Sequence, residues 1–391
     1  MSAELLIPRP DLTWFSVEGY KAFGQEARVE LGKLTLLLGR NNAGKTALCF
    51  APSYLTHPLG KDAPSPLPTK VGGIDFGALP SVCFRRQATG LQWKLGLAGV
   101  AGANRLAMGV TSLPEHGHKQ VVTHLSIDDG TGRAREFTNI TWSAARSALA
   151  EVPELASIPP SIHVLRGMRP LGERYHDYLG YTPDDVGQFG ERAPMILAAS
   201  GDKGIDEIND FFAPLRVRLH VRELKDAFET RKDTFEVLAE GTSREPVSML
   251  DSGAGIAQIL PLVVAIRLAR AQPSLFCLEQ PELHLHPRAH VAVAELLIEC
   301  VKQRPSTRLL VETHSDVLVL RIRREIAAGR LSPRDVKMYF VEDDTAVGGQ
   351  VKEIAFDERA TPDWWPKDVF AEPQREFAAL RRELVRRGLL P

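Results

Sequence analysis

The chain has 391 residues, 44% of them hydrophobic and 25% charged, a balance sufficient to bury one large core or two smaller ones. Its formal net charge of −1 excludes a surface that is basic all over, though not a local basic patch. Cys49, Cys83, Cys277 and Cys300 lack CxxC spacing and read as buried thiols in a reducing compartment. No apolar run is long enough to span a membrane and the N-terminus has no signal-peptide pattern, so the expectation is a cytoplasmic protein with no membrane partner.

Residues 14–22 and 27–31 read as two short strands, punctuated by Gly19 and Gly24. Tyr20 and Phe23 are candidates to stack on an adenine or to pack beneath a sheet. Residues 34–46, LTLLLGRNNAGKT, are a buried-strand run that breaks at Gly39 and closes a GxxxxGK[ST] pattern before a helix-compatible TALCF. Gly39 and Gly44 let the loop Arg40-Asn41-Asn42-Ala43 turn its N–H groups toward a phosphate. Lys45 supplies charge to the β/γ-phosphates and Thr46 a hydroxyl to Mg²⁺, while the helix start adds the positive end of its dipole. The cofactors this predicts are ATP and Mg²⁺.

Residues 52–80 are rich in Pro and Gly and read as loop; 82–85, 92–97 and 121–127 read as antiparallel strands, with 99–106 as a connector. Gln87 is a candidate to reach the metal and the attacking water, or a polar turn residue. A helix over 141–155 ends at Pro159 and Pro160, and a strand follows at 162–165. RGMRPLGERY (166–175) reads as a surface loop carrying several arginines, and 201–212 as a helix. In LRVRLHVREL (215–224), Val217, Leu219 and Val221 face one way and Arg216, Arg218, His220 and Arg222 the other. Those basic groups either track a phosphate backbone or form a solvated face paired with acids. No heptad run or internal repeat is present.

Residues 248–271 open with small residues and continue as an apolar helix, with Asp251 or Ser252 as its cap and Gly253 and Gly255 allowing close approach. Arg267 falls inside the apolar face, so either the buried stripe ends there or the arginine finds a partner, and Pro261, unfavourable in a helix interior, is tolerable this near the start. This second small-residue loop is an anion site without a lysine, suited to a phosphate held elsewhere. SLFCLE (274–279) is a buried strand ending in a carboxylate, where a phosphate-loop protein holds Mg²⁺. The next apolar strand, 309–312, ends in ETHSD, with His314 placed to contact a γ-phosphate. His284 and His286 lack further ligands for a metal and read as part of the loop after Glu279.

As a set, LTLLLGRNNAGKT, DSGAGIAQILPL, LFCLEQPELHLHP and VETHSDVLVLRIRR resemble the ATP-binding head of the ABC/SMC/RecF-type ATPases, and more narrowly the prokaryotic AAA-labelled ATPases related to the OLD family. The resemblance implies an α/β P-loop NTPase of ABC/SMC-head type, with a mixed central sheet, an N-terminal antiparallel β part and flanking helices. Lys45 and Thr46 resemble Walker A; Ser252, Gly253 and Gly255 the signature motif; Glu279 the Walker B acid; His314 the switch histidine. In that family two heads bind head to tail, which implies a homodimer, and OLD relatives are common in defence loci, which implies an anti-phage role with a separate effector or nuclease subunit and contact with DNA. The chain departs at Gln280, which stands where relatives carry a catalytic glutamate and cannot accept a proton, leaving Glu282 as the nearest substitute base. It also has no Toprim segment, and Glu342-Asp343-Asp344 reads as an acidic surface turn. The alternatives are a RecF-like repair ATPase that binds DNA directly and a slow-hydrolysing, ATP-gated scaffold.

The expected organisation is a single head: an N-terminal lobe over 1–135, an insertion over 136–245, a C-terminal lobe over 246–345 and a tail over 346–391. In the tail Trp364 and Trp365 anchor the segment to the core, the default, or to a partner, and 372–390 forms a final helix with Phe377, Leu380 and Leu384 in line, either a docking or DNA-contact helix or a solvated one.

Overall fold

The computed structural model describes residues 11–387 apart from 72, 87–89, 101–102, 114–118, 132, 171, 225–233, 242–244, 270–273, 345 and 368. Gln87 therefore lies outside the described residues. Strands β1 (Asp11–Glu18) and β2 (Ala27–Glu30) precede β3 (Leu34–Gly39), which feeds α1 (Lys45–Thr56). A small hairpin, β4 (Lys70–Val71) with β5 (Ile74–Asp75), and the single turn α2 (Leu79–Val82) lead into β6 (Leu91–Ala98), β7 (Arg105–Leu113), β8 (Lys119–Asp128) and β9 (Ala134–Ile140). The chain returns through α3 (Trp142–Ala150) to β10 (Ile162–Leu165). Next come β11 (His176–Asp177), α4 (Ala193–Ala199), α5 (Gly201–Phe212), β12 (Val217–Leu224), β13 (Thr234–Gly241) and β14 (Val247–Ser248). The last part runs α6 (Ala254–Arg267), β15 (Leu275–Glu279), α7 (Pro287–Gln303), β16 (Arg308–Glu312), α8 (Asp316–Ala327), β17 (Val336–Asp344), β18 (Gly348–Glu353) and α9 (Glu372–Arg386).

The central sheet has the order β10-β15-β16-β3-β17-β18, parallel except for β18. Its strands are apolar runs because both faces are covered. Leu37, Cys277, Leu310, Tyr339 and Val341 pack on one face with α1 and an antiparallel sheet ordered β2-β1-β6-β7-β8-β9. Leu34, Leu36, Leu38, Phe276, Leu278 and Val311 pack on the other with α4 to α8. The parallel strands all end at the same edge, the place where open α/β sheets bind ligands.

Several elements differ from expectation for identifiable reasons. Helix α1 runs through Pro52 to Thr56, because Leu48, Cys49, Ala51 and Leu55 are fully buried and outweigh the lost hydrogen bond. Residues 84–86 are a 3₁₀ turn, not a strand. Strand β7 starts inside the expected connector, and β9 (AREFTNI) is an edge strand with no buried residue, so it carries no apolar signal. The helix expected over 141–155 stops at Ala150 and continues as a 3₁₀ turn. Helix α6 is buried all round from Ala257 to Ile266 instead of on one face, and Pro261 lies in its interior. Arg267 finds partners in the Glu207 carbonyl (2.6 Å) and Glu299 (3.0 Å).

Residues 342–344 are the exposed end of the β17–β18 hairpin. Trp364 donates to the Glu353 carbonyl (2.5 Å) and meets Phe340 edge-on, so it does anchor the tail. Among the described residues no helix is long and apolar enough to cross a membrane.

Candidate nucleotide-binding site

The loop after β3 is shaped by close contacts on both sides. A Cβ at Gly39 (φ +147°) would stand 2.0 Å from the Val341 carbonyl oxygen, and one at Gly44 (φ +101°) 2.8 Å from the Phe23 ring. Phe23 is thus the floor of the loop, and Tyr20 beside it is fully buried, so both pack in the core and neither is open to an adenine. Asn42 adopts a left-handed conformation (φ 64°), Ala43 is buried, and Arg40 and Asn41 are exposed. Lys45 is 4% exposed and curls over the loop to donate to the Arg40 carbonyl (2.6 Å). Burial pushes its ammonium down, and Glu312 opposes that shift.

Parallel register sets Glu279, the last residue of β15, beside Glu312, the last residue of β16. Sequence reading singled out Glu279 and passed over Glu312. Glu312 is 1% exposed; burial pushes its carboxyl up, and the neighbouring Thr46 hydroxyl and Lys45 ammonium partly offset that. Its Oε2 is buried with no hydrogen-bond partner among the described residues. The signal for it was present: a carboxylate ending an apolar strand that pairs directly with β3. Gln280 donates from its backbone to the Glu312 carbonyl (2.9 Å) and from Nε2 to Glu312 Oε1 (3.4 Å).

Glu282, the expected substitute base, is tied to the His314 loop through one carboxylate oxygen, and its Oε2 is buried with no hydrogen-bond partner among the described residues. Its Oε1 accepts from the Thr313 hydroxyl (2.6 Å) and the His314 N–H (2.8 Å), so it fixes the His314 loop while Glu312 stands beside Lys45 and Thr46. Burial and the nearby Lys45 charge hold the His314 imidazole below its usual value. His290 ties the same loop from behind, bonding Ser315 Oγ (2.8 Å) and the Leu285 carbonyl (3.2 Å). His286 caps α7 by accepting from the Arg288 N–H (3.2 Å), and His284 sits in a left-handed turn (φ 62°).

The arginine-rich segment 166–175 is only partly a surface loop. Gly167 N donates to Glu279 Oε2 (2.9 Å), and Arg166 Nε lies 3.5 Å from the same oxygen. Arg169 is 2% exposed and exchanges hydrogen bonds with Gln258 of α6; burial pushes its guanidinium down to about 10, with Glu279 and Glu282 opposing. Arg174 forks onto Asp251 (2.7 and 2.9 Å). Asp251 is therefore not the cap of α6. Neither is Ser252, whose Oγ donates to the Met249 carbonyl (2.6 Å); the cap is Gly253 at φ +103°. Among the described residues nothing lies within 4 Å of a Cβ at Gly253, and one at Gly255 would meet Leu285 Cδ2 at 3.6 Å and the His284 carbonyl oxygen at 3.9 Å, both ordinary contacts.

The basic face of β12 is paired with acids: Arg222 with Glu236 (2.6 Å), His220 with Glu240 (2.7 Å) and Arg218 with Asp206 (3.8 Å). Arg216 precedes the strand in a left-handed turn (φ 59°). Three of the four basic groups thus face acids, the arrangement of the solvated, acid-paired face.

Three solved structures align over nearly the whole chain. An Smc head bound to the C-winged helix domain of ScpA is 15% identical, with 88% of this chain and 98% of that one covered and a TM-score of 0.50. An extended-coil Smc head from Pyrococcus furiosus, bound to the C-terminal domain of ScpA, is 13% identical, with 95% and 100% covered and a TM-score of 0.51. A head with coiled coil and joint from Pyrococcus yayanosii is 9% identical, with 90% and 98% covered and a TM-score of 0.50. This is the fold of an SMC-type ATPase head. A family model described as "AAA domain, putative AbiEii toxin, Type IV TA system" matches residues 194–321, which take in Gly253, Glu279, Glu312 and His314. Comparison with curated proteins gives no match.

Proposed function

We propose that this chain is an ATP-binding and ATP-hydrolysing head that pairs head to tail with a second copy around two nucleotides. One observation carries the reading. Lys45, Thr46, Glu279 and Glu312 gather at the sheet edge below α1, while Ser252, Gly253 and Gly255 lead into α6 on the opposite face, open to the outside. A second copy's small-residue loop would then complete the phosphate site of the first.

In this reading the loop N–H groups and Lys45 hold the phosphates. Glu279 and Glu312 form an adjacent carboxylate pair, and the Glu312 Oε2, buried with no hydrogen-bond partner among the described residues, is an acceptor that fits a cation. Thr46 and Glu279 would hold Mg²⁺, which supplies charge neutralisation at the β/γ oxygens. Glu312 accepts the proton of the water that attacks the γ-phosphorus as the bond to the β-phosphate oxygen breaks. Gln280, an amide in the usual position of the base, makes turnover slow.

Closure would be read by a separate effector or nuclease subunit, as the Smc heads named above are bound to domains of ScpA. The toxin–antitoxin wording of the matched family agrees in kind with anti-phage defence. The test is Mg·ATP binding and steady-state phosphate release by wild type, Lys45→Ala and Gln280→Glu. Wild type should bind ATP and release phosphate slowly, Lys45→Ala should do neither, and Gln280→Glu should be faster. A wild-type chain that binds no nucleotide would end the reading.

A further inference from the structure

The mouth of the phosphate loop is lined in part by the C-terminal segment. Gly39, Arg40, Asn41 and His314 form one wall of a cavity of about 530 Å³, and Lys367, Val369, Phe370 and Arg375 form the other. That volume lies in the range of small-ligand sites, roughly 300–1,000 Å³. Arg40, His314, Lys367 and Arg375 are basic, and no described residue of the lining is acidic.

The tail is held there by more than chance contact. Trp364 is pinned by its bond to the Glu353 carbonyl, and Trp365 donates to the Val369 carbonyl (3.3 Å) with Arg323 over its ring. Phe370 then turns the chain through a left-handed conformation (φ 59°), unfavourable for a bulky residue, and α9 begins directly after it, with Arg375 in its first turn. Strained backbone of this kind persists where the surroundings enforce it. Here it aims the first turn of α9 at the loop.

We infer that Lys367 and Arg375 are nucleotide-binding residues, a clamp supplied by the same chain that closes on the terminal phosphate of a nucleoside triphosphate. This rests on the assignment of residues 39–46 as the phosphate loop. With His314 at the γ-phosphate, the wall opposite it meets the same end of the phosphate chain. A nucleoside diphosphate leaves that end empty, so the clamp adds affinity for the triphosphate alone.

The experiment is calorimetric titration of the full chain with Mg·ATP and Mg·ADP. It compares wild type, Lys45→Ala, the pair Lys367→Ala/Arg375→Ala and the pair Lys367→Glu/Arg375→Glu. All the tail positions are exposed, so folding should survive, and circular dichroism checks it. The alanine pair should weaken ATP about ten-fold or more and leave ADP within about two-fold, with a larger ATP loss for the glutamate pair. Unchanged ATP affinity in both pairs, while Lys45→Ala abolishes binding, would overturn the clamp and leave the phosphate loop intact. Equal losses for ATP and ADP would also overturn it. If Lys45→Ala binds as wild type does, it is the phosphate-loop assignment that fails.

Discussion

Gly39 and Gly253 both sit in loops that lead into a helix, and their surroundings are opposite. A side chain at Gly39 would collide with the Val341 backbone, and one at Gly44 with Phe23. At Gly253 and Gly255 a side chain would meet open space or ordinary contact. The first loop is shaped by its own chain, down to the aromatic ring beneath it. The second has glycines that nothing in its own chain crowds, although Gly253 needs its φ of +103°. Gly255, which neither its backbone conformation nor its surroundings require to be glycine, points to a partner outside the chain, and this distinction separates the two halves of the proposed ATP site.

Substitutions at the two loops should break or sharpen that contrast. Gly39→Ala drives a methyl into backbone that cannot give way, and urea unfolding should report a loss of more than about 3 kcal/mol. A loss below about 1 kcal/mol would mean the loop is not shaped by its own fold. Glu312→Gln tests whether the first loop's edge also holds its proton acceptor. Phosphate release should fall about 100-fold with ATP affinity nearly kept, while Glu282→Gln should act through the His314 loop. Equal turnover in wild type and Glu312→Gln would remove Glu312 from the chemistry.

The far end of α8, the helix that begins just after His314, can be tested by pH. Glu325 of α8 is 4% exposed and bonded to Arg330 (2.7 and 2.8 Å), which holds its carboxyl down at about 2 against 4.5 when unfolded. The folded form binds this proton less readily than the unfolded form. Its stabilisation is therefore complete above pH 4.5 and is lost as pH falls through about 2. Glu325→Gln should cost about 1–2 kcal/mol at pH 7, and the gap to wild type should close as pH drops below 4. A gap that is constant with pH would assign the effect to packing. The smallest effect belongs to the second loop. Gly255→Ala should leave stability unchanged or raise it by up to about 1 kcal/mol, since alanine suits the start of a helix. The same change should weaken ATP-dependent pairing, a separation that no substitution at Gly39 can give.

Much of the first loop was legible in the sequence because its chemistry is local. Strand, glycines, lysine and helix are contiguous from Leu34 to Thr56. Glu279 and His314 were legible as strand ends. What escaped depends on distant parts of the chain meeting. Glu312 gains its place only from the parallel register of β15, β16 and β3. Arg169 reads as a surface residue until Gln258 of α6 encloses it. The arginines of β12 look like a phosphate track until β13 supplies its glutamates. The tail gives no sign in its composition that it reaches the phosphate loop, because that approach is set by two tryptophans and one strained phenylalanine.

The central claim, that the outward loop of one copy completes the inward loop of another, is tested most directly by mass. Light scattering of the full chain with Mg²⁺ and a non-hydrolysable ATP analogue should show a dimer for wild type and a monomer for Lys45→Ala. A monomer in both cases, at concentrations that saturate the nucleotide site, would contradict the account.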